Sequence, residues 1–277
     1  MPRQLRLIID SIFFVLLAAL VVAGVLIGLG IWDPKIGPGA PHSSYSTAAA
    51  GKKAFYLLTA ERLFDPRRSN RPLRLLTERL RSEYRRTAIL ILGPVRYPSE
   101  AQWKDLLDYV SAGGVLVFAV RDDEFDSDDA PLKIPGLDAE VTPIWDDVPY
   151  PEADLGDTRG GYVATSLLRD PNLYWQSRGQ LVAPKAETLV AFDGTVQAAR
   201  MEYGSGQVVL LASDFVFSNQ SIDYGDNSVL AVRLLESAGP LDEIYFDESL
   251  NTTPMVIGLL FEPFLRAFTV QLLIVLL

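Results

Sequence analysis

The run LIIDSIFFVLLAALVVAGVLIGLGIW, Leu7 to Trp32, constrains this chain more than any other stretch. It carries one charge, Asp10, and exceeds the roughly 20 apolar residues that cross a bilayer, where a helix satisfies its own backbone. A transmembrane helix is expected over 7–32. Arg3, Arg6 and the terminal amine precede it, while Asp33 and Lys35 cancel beyond it. The positive-inside rule therefore puts residues 1–6 in the cytoplasm and the bulk of the chain across the membrane. The alternative, a cleaved signal peptide, has a shorter apolar core of about 7–15 residues and a small-residue cleavage site, where WDPKIGPG stands here. Gly24 and Gly28 give a G-x-x-x-G spacing that suits either helix approach or a lipid-facing surface.

At the other end, PFLRAFTVQLLIVLL is fully apolar after Arg266 and supplies about half of a span. Residues 251–277 are expected to form an amphipathic segment running into a second, truncated transmembrane helix. The alternative is a short amphipathic segment lying on the membrane or the domain, since Glu262 and Arg266 interrupt MVIGLLFEPFL.

Between these ends, short apolar runs alternate with amphipathic ones: AFYLLT, RPLRLLTERLRSEYRR, TAILILG, SEAQWKDLLDYVSAGG, VLVFAV. The pattern predicts β-α-β-α-β with a parallel sheet and covering helices, beginning with a strand at AFYLLT. Leu73, Leu76, Leu80 and Tyr84 form one helical stripe behind Pro72. Trp103, Leu106, Leu107 and Val110 form another, with Ser99 as N-cap and Gly113 past the end. Further on, Asp193-Gly194 and Gly204 to Gly206 are hairpin signals between strands, followed by a helix in NSVLAVRLLESAG and a strand in DEIYFDE. A three-layer α/β sandwich with a mixed, largely parallel sheet is expected over 54–250, with an acidic, Pro/Gly-rich insertion over 121–184 and a linker over 33–53.

The net charge is −10 with no basic stripe, which argues against nucleic acid as a partner. The chain has no cysteine, so disulfides, thiolate metal sites and a Cys nucleophile are excluded. Its one histidine, His42, lies in GPGAPHSSYSTAAAG, a stretch of linker composition that offers no rigid support for catalysis. Asp122, Asp123, Glu124, Asp126, Asp128 and Asp129 carry oxygen ligands suited to Ca²⁺, but the EF-hand spacing is missing and a solvated acidic loop explains them. No cofactor is called for.

The polar cluster after QVVLLA reads in two ways. Ligands of open α/β sheets lie at the carboxyl ends of strands, where Asp214, Asn219, Arg121 and Glu248 could gather. As architecture, Asp226, Asn227 and Ser228 cap the following helix, Asn219 and Asp223 bond their own backbone in turns, and Gly204 and Gly206 form a hairpin. Ser213 has no base beside it to make it a nucleophile. Adjacent Asp247 and Glu248 point to opposite sides of a strand.

The stretch YGSGQVVLLASDFVFSN…DNSVLAVRLLESAGPLDEIYFDE resembles a family of bacterial membrane proteins, domain of unknown function 4350. More distantly it is similar to the class I glutamine-amidotransferase-like sandwich. Gly204, Gly206, Asp214, Asn219, Asp226, Asn227, Asp247 and Glu248 carry the likeness most specifically. The resemblance implies a domain tethered to the bacterial inner membrane, often encoded beside MoxR-type AAA+ ATPases and von Willebrand-factor-type membrane proteins. It implies envelope partners and no activity. Amidotransferases use a Cys elbow and a His partner, and here there is no Cys and no His after residue 42. DESLNTTP also replaces the family's aromatic-His segment. A non-enzymatic binding or scaffold domain is therefore expected, the alternative being a carboxylate-dependent hydrolase or transferase using Asp214 and Glu248.

Overall fold

The computed structural model describes residues 40–62, 64–83, 86–125, 129–144, 163–192 and 194–251. The chain divides into two compact units, Met1–Gly37 and Pro38–Leu277, and only the second contains described residues. Both apolar runs assigned to the membrane, and residues 126–128 and 145–162 of the acidic stretch, lie outside them. Among the described residues no helix is long and apolar enough to cross a membrane.

Along the chain the elements are α1 (Lys53–Arg62), β1 (Asp65–Ser69), α2 (Leu73–Arg81), β2 (Thr87–Leu92), α3 (Glu100–Ser111) and β3 (Val115–Ala119). The insertion holds β4 (Leu132–Lys133), β5 (Glu140–Pro143), β6 (Val163–Thr165) and β7 (Gly179–Val182). Then come β8 (Glu187–Phe192), β9 (Thr195–Tyr203), β10 (Gly206–Leu211), a 3₁₀ turn at Phe215–Phe217, α4 (Asn227–Glu236) and β11 (Glu243–Asp247).

Among the described residues, eight strands form one sheet in the order β1-β11-β2-β3-β10-β9-β8-β6. The first five run parallel and the last three add antiparallel. Strands β2 and β3 are buried at every position, which is why their sequences are nearly continuous apolar runs without alternation, and β11 is buried throughout as well, with Ile244, Tyr245 and Phe246 between Glu243 and Asp247. Successive residues serve opposite faces. Ile89, Ile91, Leu116, Phe118, Val208 and Leu210 pack with Leu76 of α2 and Leu106 of α3. Leu90, Val115, Val117, Val209 and Leu211 pack with Phe55 of α1 and Leu230 and Leu234 of α4. Helices thus cover both faces of the sheet. Antiparallel β4, β5 and β7 form a separate small sheet whose Val141 and Leu181 join the α2/α3 side.

Leu73, Leu76 and Leu80 of α2 and Trp103, Leu106, Leu107 and Val110 of α3 are buried where the periodicity places them, while Tyr84 lies outside the described residues. Ser99 forms a reciprocal capping box with Gln102, fixing the start of α3. AFYLLT, however, is helix rather than strand. Lys52, Phe55 and Thr59 are buried at steps of three and four, so the run satisfies a helical period, and a short apolar run alone does not separate the two. The strand comes next, in DPRRS, which has no hydrophobic signature. As the outermost strand it tolerates Pro66, and its charges discourage further pairing.

Candidate functional site

Because β2, β3, β10 and β11 are parallel, the residues that follow them gather at one edge: Gly93, Arg121 and Asp122, Asp214, and Glu248. Across this edge lies the segment 42–54. At its centre is Asp214, 1% exposed, with Lys52 Nζ 2.7 Å and His42 Nδ1 3.1 Å from its Oδ2. The Asp122 backbone N–H donates to Oδ1 at 3.0 Å, and the Lys52 ammonium also donates to Ala50 O. Burial alone would raise the Asp214 pKa, but the adjacent Lys52 charge and the His42 ring outweigh it and hold the carboxyl below its ordinary value. An ionised Asp214 only accepts hydrogen bonds, so His42 Nδ1 carries the proton towards it.

Gly93 makes room for this arrangement. Its φ is +59°, its N–H donates to Ala119 O at 2.9 Å, and a Cβ there would overlap Asp214 Oδ2.

The other polar residues of this edge hold the same segment. Asn219 Oδ1 accepts the Ala54 N–H at 2.8 Å, while its Nδ2 donates to Ser46 O at 2.9 Å and Ala48 O at 2.7 Å. The Asn219 and Gln220 N–H groups donate to Gly51 O and Ala49 O. Glu248 Oε1 accepts the Ser44 N–H at 2.7 Å and its Oε2 accepts Asn251 Nδ2–H at 3.1 Å. From β1, Arg68 donates to Ser44 Oγ at 2.8 Å and to Ser44 O at 2.7 Å, with its guanidinium between the rings of Tyr45 and Tyr56. The segment is therefore a strap, fastened by side chains from three parts of the fold.

Of the four residues expected to line a cleft, Asp214, Asn219 and Glu248 all bond the strap, each through a different part of it. Arg121 stands apart, paired with Glu124 and 3.6 Å from Asp123 Oδ1. The Asp247 carboxylate accepts Ser249 Oγ–H and the Leu250 N–H instead of bonding the strap. Its burial raises its pKa to about 7, with the neighbouring Glu248 charge adding to the effect. Asp214 and Glu248, the pair considered for acid/base chemistry, both have their carboxylates occupied by the protein itself.

The capping expectation needs correction. Helix α4 begins at Asn227, Asp226 makes no side-chain cap bond, and Ser228 lies within the first turn. Asp226 instead accepts the Asn172 N–H at 2.8 Å, and Asn227 exchanges bonds with Tyr174 N–H and O. Backbone groups at Asn172 and Tyr174 provide long-range partners that win over the helix's own first turn. Asn219 likewise reaches distant backbone rather than its own. Ser213 donates to Gln176 O at 2.7 Å and accepts the Phe215 N–H, a structural role. Gly204, at φ +60°, turns the chain between paired Tyr203 and Gly206, where a Cβ on Gly206 would meet Val110 O and Gly114 O.

His42 and Lys52 were not anticipated at this edge. His42 is 6% exposed rather than part of a solvated linker.

The family model for the domain of unknown function DUF4350 matches residues 44–235. The chain belongs to the DUF4350 family. The matched region of this DUF4350 protein includes Lys52, Asp122, Asp123, Asp214 and Asn219, with His42 just ahead of it and Glu248 beyond it. No curated protein matches the chain. Among solved structures it is similar to the mmIFT52 N-terminal domain, with 14% identity over 69% of this chain and 98% of that one and a TM-score of 0.40. It is also similar to the cytoplasmic protein STM3548 from Salmonella typhimurium, with 13% identity over 59% and 75% of the two chains and a TM-score of 0.36. For the cytoplasmic protein STM1381 from Salmonella typhimurium LT2 the values are 14%, 61% and 80%, and 0.37. Likeness at this level transfers no activity.

Proposed function

We propose that this DUF4350 chain is a membrane-anchored, non-enzymatic α/β binding or scaffold domain of a bacterial envelope complex, linked to a MoxR-type ATPase system. One observation carries the reading. The edge of the sheet where an α/β enzyme would receive its substrate is covered by the chain's own residues 42–54, and Asp214, Asn219 and Glu248 are engaged in holding them. A carboxylate-dependent hydrolase or transferase would need Asp214 and Glu248 turned to a substrate instead. The two-faced sheet supports a finer reading, an amidotransferase-like sandwich that lacks the Cys and the downstream His of that chemistry.

The anchoring is supported by where the domain begins and ends. Glu248 bonds both Ser44 and Asn251, so the described residues that lead towards the two segments assigned to the membrane, 7–32 and 251–277, meet at one side chain. This suits an extracytoplasmic domain of a chain anchored in the inner membrane, with residues 1–6 in the cytoplasm. The test is affinity capture of the full chain from crosslinked, detergent-solubilised membranes. Co-purification of an ATPase of this class or of another envelope protein is expected. Recovery of the chain from the soluble fraction, or alone from the membrane, would overturn the proposal.

A further inference from the structure

His42 is held on one side only. Its side chain is 8% exposed and its Nδ1–H is engaged by Asp214, which in the neutral ring leaves the lone pair on Nε2. Nε2 lies 3.8 Å from Asp123 Oδ1, beyond hydrogen-bond length, and makes no hydrogen bond among the described residues. On the same side is Asp122, whose backbone is fixed to Asp214 and whose carboxylate has no hydrogen-bond partner among the described residues. One ligand atom from each of His42, Asp122 and Asp123 lies within 4.8 Å of the others. The Asp123 side chain is 59% exposed, so this side of the cluster opens to solvent while His42 is sealed behind it.

We propose that His42, Asp122 and Asp123 bind a divalent transition-metal ion of the zinc class, and that this ion joins the strap to the loop after β3. An imidazole whose other nitrogen is held by a carboxylate is the arrangement that orients histidine ligands and raises their basicity. One nitrogen and two carboxylate oxygens suit Zn²⁺ or Co²⁺ better than the all-oxygen preference of Ca²⁺ and Mg²⁺. Charge points the same way. Among the described residues the carboxylates of Asp122, Asp123, Glu124 and Asp214 meet Lys52 and Arg121 as their permanent cations, an imbalance that a divalent ion neutralises. Lys52 neutralises Asp214 and keeps it in the role of orienting His42 rather than binding the ion.

The chain has a single histidine, so its imidazole nitrogen resonances can be read without ambiguity in the full chain, purified in detergent without a histidine tag. Zn²⁺ alone is titrated into the chelator-treated protein, with Ca²⁺ and Mg²⁺ as controls. The expected result is saturation at one ion per chain with a shift of Nε2 while Nδ1 keeps its proton, and no response to Ca²⁺ or Mg²⁺. Asp123→Asn, at an exposed position, should weaken binding at least about tenfold, and Asp122→Asn should do the same. An unchanged Nε2 signal at excess zinc would overturn the proposal, as would a zinc response that both variants retain at full affinity. A response to Ca²⁺ equal to that to Zn²⁺ would also overturn it.

Discussion

Replacing Asp214 with alanine probes the centre of the carboxyl edge. Asp214 and Lys52 are each 1% exposed, and the substitution leaves a buried ammonium bonded, among the described residues, only to Ala50 O. It also strands the His42 Nδ1–H and the Asp122 N–H. Deleting one member of a buried pair costs about 3–5 kcal/mol, because the remaining charge stays desolvated. For a domain of this size each kcal/mol corresponds to about 2–4 °C, so Asp214→Ala should lower Tm by roughly 6–20 °C. Lys52→Met is milder at about 1–3 kcal/mol, since Asp214 keeps the His42 ring and the Asp122 N–H. Adding Lys52→Met to Asp214→Ala removes the stranded charge, so the double variant should be more stable than Asp214→Ala alone. The assay is thermal unfolding of the full chain in detergent, followed by circular dichroism. A loss below about 2 °C for Asp214→Ala, or a double variant whose loss is the sum of the two, would refute the buried-pair reasoning.

Asp247 has its folded pKa raised to about 7, above its unfolded value near ~4, so its contribution is complete at acid pH and is lost as pH rises through about 7. Asp247→Asn should therefore be close to neutral at acid pH and relatively stabilising in mild alkali, by on the order of a few kcal/mol, as read from urea unfolding at the two pH values. Gly93→Ala meets both the left-handed backbone, worth about 1–2 kcal/mol, and the Asp214 carboxylate. Gly194→Ala meets only the backbone term, with nothing within 4 Å of its Cβ, so Gly93→Ala should lower Tm more. Asn219→Ala removes three bonds to the strap and should expose Lys52 and Lys53 to trypsin in limited proteolysis while the sheet stays folded.

The central strands TAILIL, VLVFA and QVVLL are legible in the sequence because burial on both faces demands unbroken apolar runs. The helices over 73–81 and 100–111 are legible because only one face is buried. AFYLLT is not, since its six residues satisfy either period and only the docking of Phe55 and Thr59 decides. DPRRS is invisible because an edge strand needs no apolar residue. At the site, Asp214 and Glu248 announce themselves by following strands, but their partners do not. His42 meets Asp214 across 172 positions, and Ser44 meets Glu248 across 204. Nothing local in a Pro/Gly/Ser-rich segment marks such pairing, so linker composition conceals a strap.

The closed edge is tested most directly by amide hydrogen exchange on the full chain. The N–H groups of Ser44, Gly51, Lys52 and Ala54 donate to Glu248, Ala48, Ser43 and Asn219. They are expected to exchange slowly in the native chain and to lose protection in Asn219→Ala while β2 and β3 keep theirs. Exchange of these amides at the rate of an unstructured peptide in the native chain would contradict the account.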